Sequence, residues 1–150
     1  MRQTIRIEDK DAKGVLIGLP RILDVFEPEG GTMTWAMFDL WIIGNLGGGK
    51  SVLDLEQESR TVPKGKCVAW RELRAFSEAV TQIIEGTFVG CTKSNTIPDR
   101  LTSEALQACD VVISAVDSSF WEVTVHEGHL MKRLQNTFPM AQKISPSTIR

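Results

Sequence analysis

Cysteine is scarce in this sequence. The three residues Cys67, Cys91 and Cys109 stand at wide spacings with no CxxC pair. That arrangement suits neither a disulfide framework nor a zinc site, and reduced, mostly buried thiols are expected instead. Long hydrophobic runs are lacking too: the most apolar stretch, Met33 to Ile43, is interrupted by Asp39 and stops at Gly44. It falls well short of the about 20 residues a membrane-spanning helix needs. The amino terminus, MRQTIRIEDKDAKG, scatters charges where a signal peptide would carry an apolar core of about 7 to 15 residues. Export by that route is therefore not expected, and a cytoplasmic location is. Positive charge is not in excess either: 17 Lys and Arg face 19 Asp and Glu, for a formal net charge of -2 and a pI of about 5.7. No global field draws the chain toward nucleic acid or anionic lipid. A mildly acidic domain is instead suited to a basic protein partner, because opposite potentials speed encounter.

What remains is an ordinary globular composition, 42% hydrophobic and 24% charged in 150 residues. A chain of this length buries roughly 68 to 70% of its unfolded surface, enough for one core without staples. No internal repeat, low-complexity tract or long linker divides it. Residues 1–150 are expected to form a single α+β domain, a mainly antiparallel sheet with two or three packed helices, with about residues 140–150 as a loose tail.

Hydrophobic periodicity places the elements. Ile5 and Ile7 alternate with Arg6 and Glu8 as a short strand, Val15 to Leu19 is a second apolar run, and Glu27-Pro28-Glu29-Gly30-Gly31 is a turn. Residues Met33 to Ile43 are apolar on both parities, as in a central strand, with Trp35, Phe38, Trp41 and Ile43 expected in the core. Val52 to Glu58 alternates leucine with carboxylate and reads as a strand with an acidic outer face. From Trp70 the apolar residues Leu73, Phe76, Val80, Ile83 and Ile84 recur at helical spacing, with Gly86 as the terminating residue. A short helix follows from Ser103 to Ala108, with Thr102 as its N-cap. Val111 to Val116 and Trp121 to Val125 form a hairpin around Asp117-Ser118-Ser119. Leu130, Leu134 and Phe138 mark a last helix that Pro139 ends.

Gly44-Asn45-Leu46-Gly47-Gly48-Gly49-Lys50-Ser51 satisfies the phosphate-loop pattern GxxxxGK[ST]. In such a loop backbone amides cradle the phosphates, Lys50 would reach them, and Ser51 would bind magnesium. Asp117, after the apolar run VVISAV, would be an outer metal contact. The pattern also requires a helix directly after Ser51. The alternating residues Val52 to Glu58 speak instead for a hairpin connection between antiparallel strands, with no cofactor bound. Other constellations are weaker. His126 and His129, three residues apart, lack the HExxH spacing and a further ligand, so no metal site is expected. Asp117, Ser118 and Ser119 have no nucleophile elbow beside them, and the chain is not expected to be an enzyme. The four tryptophans, Trp35, Trp41, Trp70 and Trp121, fall in the most periodic apolar segments and are expected in the core, not as base-stacking platforms.

Taken together, WAMFDLWIIGNLGGGKSVLDLEQE (35–58), WRELRAFSEAVTQIIEGTFVG (70–90) and VVISAVDSSFWEVTVHEGHLMKRLQNTF (111–138) resemble small bacterial immunity proteins of contact-dependent inhibition and related polymorphic toxin systems. The resemblance rests on the order of these segments over residues 35 to 138. It implies a cytosolic antidote that binds a cognate toxin domain, often a nuclease, and blocks its active site without catalysis. Asp54, Glu56 and Glu58 are the carboxylates expected to meet such a partner. The nucleotide-binding loop Gly44 to Ser51 is the alternative.

Overall fold

The computed structural model describes residues 2–92, 97–99 and 102–144. Seven strands form one sheet: β1 (Gln3–Glu8), β2 (Thr34–Gly44), β3 (Lys66–Val68), β4 (Val80–Cys91), β5 (Val111–Val116), β6 (Phe120–Val125) and β7 (Gln142–Ile144). Their order is β3-β2-β4-β5-β6-β1-β7, and every neighbouring pair is antiparallel. The helices are α1 (Leu19–Asp24), α2 (Val52–Thr61), α3 (Trp70–Ala79), α4 (Ser103–Gln107) and α5 (Gly128–Thr137), with a 3-10 turn at Glu29–Thr32. The chain is the expected α+β fold with an antiparallel sheet, though its described residues hold five α-helices where two or three were anticipated.

Side-chain alternation gives the sheet two apolar faces. The larger core joins Ile5 and Ile7, Trp35, Met37, Leu40 and Ile42, Phe88, Val111 and Ile113, and Val123 and Val125 to buried residues of α1, α3 and α5. The smaller one, on the opposite face, holds Ala36, Phe38, Val89, Cys91, Val112, Cys109 and Ile97, with Leu106 of α4 against it. Trp35 anchors the larger core: it is fully buried, its indole N–H donates to the Gly30 carbonyl at 2.9 Å, and its ring lies 5.3 Å from that of Trp70.

Four expectations from periodicity need correction. In β2, Asp39 adopts a left-handed φ of 53°, and the register jumps from Phe38↔Thr87 to Trp41↔Glu85. This β-bulge inserts one residue and reverses the parity. Leu40 and Ile42 take the core positions, and Trp41 and Ile43 turn outward at 53% and 49% exposure. Opposite the bulge, a side chain on Gly86 would come within 2.9 Å of Leu40, so this glycine sits in mid-strand to admit the shifted leucine. Helix α3 correspondingly stops at Ala79, because Val80 is already extended and β4 begins there. Trp70, Leu73 and Phe76 keep the predicted helical stripe. Val80, Thr81, Ile83 and Ile84 are β-branched, and pairing with β2 overrides the helical spacing.

Val52 to Glu58 is helix and not strand, with the Ser51 hydroxyl accepting the Asp54 amide at 3.1 Å as its cap. The tail, expected to be loose, contributes β7, which pairs with β1; its last residues, 145–150, lie outside the described ones. The apolar run Val15 to Leu19 divides between an isolated bridge and a helix start. Leu16 makes a single bridge with Lys10, and Leu19 opens α1 with Pro20 behind it.

Three further expected elements match. Thr102 caps α4 by accepting the Ala105 amide at 3.0 Å. Asp117 and Ser118 supply left-handed residues for the β5–β6 hairpin. Leu130, Leu134 and Phe138 are buried along and just after α5.

Candidate functional site

The corner where β2 meets α2 is built by an unusual closure of the sheet edge. Strand β3 pairs only with Trp35 to Met37, so the next stretch of β2, paired with β4 on its other side, has no strand on this edge. Unpaired backbone groups in a buried edge are costly. Helix α2 satisfies them with side chains: the Leu40 amide donates to the Ser59 hydroxyl at 3.0 Å, and the Ile42 amide donates to a Glu56 carboxylate oxygen at 2.9 Å. The Arg60 guanidinium donates to the Leu40 carbonyl at 2.6 Å. Glu56 and Ser59 are accordingly buried, at 8% and 1% exposure.

This geometry separates the three carboxylates that looked alike in sequence. At about 100° per residue a helix cannot present alternate positions on one face. Glu56 turns in to brace β2 and is no surface group, contrary to expectation. Asp54 is exposed in the first turn, and Glu58, one turn on and half-buried, pairs with the Lys66 ammonium at 3.4 Å.

The same corner gathers apolar side chains that the sequence reading placed elsewhere. Val52 and Leu55 pack against the main core. Leu53 points elsewhere, at 71% exposure. It lies seven residues, nearly two full turns, before Arg60 and so on the same side of the helix. Arg60 itself lines a cleft with Phe38, a residue of the second face. Trp41 and Ile43 are exposed on that second face. Leu53, Trp41 and Ile43 thus mark one corner, bordered by Asp54 and Glu58 and by Glu85, the β4 partner of Trp41. The adjoining cleft, about 540 Å³, is lined also by Asp39, Val62, Asp99 and Thr102, with Asp99 held by Lys64 at 2.7 Å. The bulge at Asp39 is the signal that periodicity could not carry.

The glycine-rich loop connects β2 to α2. Gly47, Gly48 and Gly49 all have left-handed φ, from 58° to 75°, and the Lys50 amide closes a turn onto the Gly47 carbonyl. Only glycine adopts three such conformations in succession without strain. A helix does start directly after Ser51, so the connection is strand to helix and not the expected hairpin between strands. The Ser51 hydroxyl is engaged in capping, and Lys50 is exposed. The strand before the loop runs antiparallel to both its neighbours, unlike the parallel crossovers around a nucleotide site. Asp117 sits in the β5–β6 turn with its amide bound to Glu85 at 3.1 Å, and β4 runs between its strand and β2.

The histidines and the serines of that turn are not brought together. Strand β6 separates Ser119 from His126, a span of about 20 Å at 3.3 Å per residue. His129 lies between the Glu29 and Glu127 carboxylates, at 3.0 and 3.1 Å. Arg133 clamps Glu29 through two nitrogens and also donates to the Val25 and Glu27 carbonyls. Its guanidinium, helped by His129, holds the Glu29 carboxyl down at about 2. This network ties α5 to the turn that backs Trp35. Among the described residues no group of three His, Cys, Asp or Glu could hold a metal, and no helix is long and apolar enough to cross a membrane. Of the three free thiols, Cys91 and Cys109 are buried, as expected for most of them, and Cys67 is exposed. No family model matches the chain, and no curated protein or solved structure does.

Proposed function

We propose that the chain is a binding protein of immunity type that neutralises a cognate toxin domain by covering it, with the β2–α2 corner as its contact surface. The observation that carries this reading is the exposure of Trp41 and Ile43, at 53% and 49%, on the same face of β2, and of Leu53, at 71%, on the helix that flanks that strand. Clustered apolar exposure in a folded domain favours a partner, at about 25 cal/mol for each Å² of apolar surface the partner removes from water. A tryptophan surrounded by smaller contacts is a common energetic anchor. Asp54 and Glu85 place carboxylates at the rim that would meet basic groups of a toxin domain, while Glu58 is paired with Lys66. Glu56, Ser59 and Arg60 hold α2 to the sheet, so the surface is preorganised and little ordering entropy is lost on docking. Inhibition then follows from coverage, without a chemical step.

The test is binding to the toxin domain encoded in the neighbouring reading frame. Trp41→Ser and Leu53→Ser are expected to weaken affinity at least about 30-fold for the stronger of the two, the effect of a single anchor residue. Asp54→Lys should chiefly slow association and flatten its salt dependence. Unchanged affinity in all three would move the interface elsewhere, and a wild-type chain that does not bind that product would sink the immunity reading.

One observation favours a second reading: α2 begins directly after Lys50-Ser51, as a phosphate loop requires. Titration with ATP or GTP and magnesium is expected to give no binding below millimolar concentration. Micromolar affinity abolished by Lys50→Ala would replace the first reading with this one.

A further inference from the structure

The two buried cysteines have no part in the surface just described, yet the fold sets them together. Cys91 ends β4, Cys109 stands two residues before β5, and the Gly90↔Val111 pairing brings both to the same end of this strand pair. The Asp110 amide donates to the Gly90 carbonyl at 3.1 Å and the Thr92 amide to the Asp110 carboxylate at 2.8 Å, which fixes the two backbones side by side. Both side chains enter the second-face core, at 0% and 2% exposure, and both are free thiols. Both side chains belong to that one small core cluster, and the Cys109 thiol donates to the Ala105 carbonyl of α4 at 3.6 Å. Continued by one residue, the Gly90↔Val111 register sets Cys91 opposite Asp110 and next to Cys109 across the antiparallel pair, where Cα separations fall near the about 4.4 to 6.8 Å that a disulfide spans.

We propose that Cys91 and Cys109 are a redox pair, the site of a reversible intramolecular disulfide that fastens the α4 segment to the sheet. The two sulfurs have different roles. The neighbouring Cys109 side chain lowers the Cys91 thiol below its ordinary value; the Cys91 side chain, burial and the Asp110 carboxylate push Cys109 up. Cys91 is therefore the attacking thiolate and Cys109 the resolving thiol. With hydrogen peroxide as oxidant, the Cys91 sulfur attacks one oxygen, the O–O bond breaks, and the other oxygen leaves as water after taking up a proton. Cys109 then attacks the resulting sulfenic sulfur, losing its own proton, and hydroxide departs as a second water. Two thiols are oxidised by two electrons and one peroxide is reduced to two waters. A dithiol reductant reverses the bond by exchange. Access comes through α4, whose five residues are too few to be stable alone and open as a local unit.

Exposed Cys67 would obscure the result, so the experiment uses Cys67→Ser and, in parallel, the native chain with Cys67 alkylated under folded conditions. Folded protein is treated with hydrogen peroxide and followed by intact mass, thiol count and non-reduced peptide mapping. The expected outcome is a loss of about 2 Da, disappearance of both remaining thiols and a peptide linking Cys91 to Cys109. All three should be restored by dithiothreitol, and the oxidised form should melt about 5 °C or more higher. Cys109→Ser in the same background should stop at a single sulfenic acid on Cys91, with no rise in melting temperature. Oxygen adducts without the 2 Da loss, a disulfide that appears only in denaturant, or a melting shift that persists in Cys109→Ser would each overturn the proposal.

Discussion

Before Asp39, strand β2 is buried on both faces; after it, only one face is covered. Trp35, Ala36, Met37 and Phe38 lie between the two cores with 5% exposure or less, whereas Leu40 and Ile42 alternate with the open Trp41 and Ile43. The two halves have nearly the same composition, so hydrophobicity does not separate them. What differs is the surroundings. The first half has β3 beside it and the second-face core over it, and the second half has side chains of α2 along its edge and no cover on its outer face. A run of apolar residues therefore reports that a strand is buried somewhere, while one left-handed residue decides which side chains stay accessible.

The largest expected effect distinguishes the two tryptophans. Trp35→Ala removes a fully buried indole with a hydrogen bond and should destabilise the fold by about 4 kcal/mol, while Trp41→Ala should stay within about 0.5 kcal/mol. Chemical denaturation of both variants measures this directly. Equal losses would erase the contrast between the halves.

A smaller effect concerns the edge of the second half. Glu56→Ala leaves the Ile42 amide without its acceptor, at a cost of about 2 kcal/mol, and should raise hydrogen exchange at Ile42 and Leu40 above that at Ala36. If Ile42 exchange is unaltered, the carboxylate is not what closes this edge.

The smallest effect is a pH dependence on the side of the first half. The Glu29 carboxyl, held at about 2 by Arg133 against an ordinary 4.5, binds its proton less readily folded than unfolded. Its contribution is complete above about pH 4.5 and is lost as pH falls toward about 2. Partial exposure of both partners reduces it to about 1 kcal/mol. Arg133→Met should flatten stability over that interval, and a variant that keeps the wild-type slope would assign the acid sensitivity to other carboxylates.

Most of the sheet was legible because its signals are local. Val111 to Val125 alternates, turns on Asp117-Ser118 and alternates again, so pairing, loop and register all follow from one short segment. The helix from Leu130 and the Thr102 cap are equally self-contained. Helix α2 was misread because its burial obeys backbone demand and not hydrophobicity: it buries Glu56 and Ser59 to satisfy β2 and exposes Leu53. The available clue was Ser51 three residues before Asp54, a capping arrangement. The end of α3 was misread because Val80 and Ile83 fit helical spacing by coincidence, and only the pairing with β2 makes them strand. The candidate surface was the least legible part, since Trp41 and Ile43 reach it through a backbone bulge and Leu53 through a helix end.

The sheet order has a consequence for synthesis. Strand β1 is translated before the other strands of the sheet, but its partners are β6, with Ile7 opposite Trp121, and β7. Until β6 has left the ribosome, Ile5 and Ile7 have no native neighbour strand, and the β2–β4–β5 portion must form without them. Pairings this distant in sequence close late and slowly. The nascent chain therefore carries an unpaired apolar strand from the synthesis of β1 until that of β6, and chaperone binding over that interval should concentrate at Gln3–Glu8.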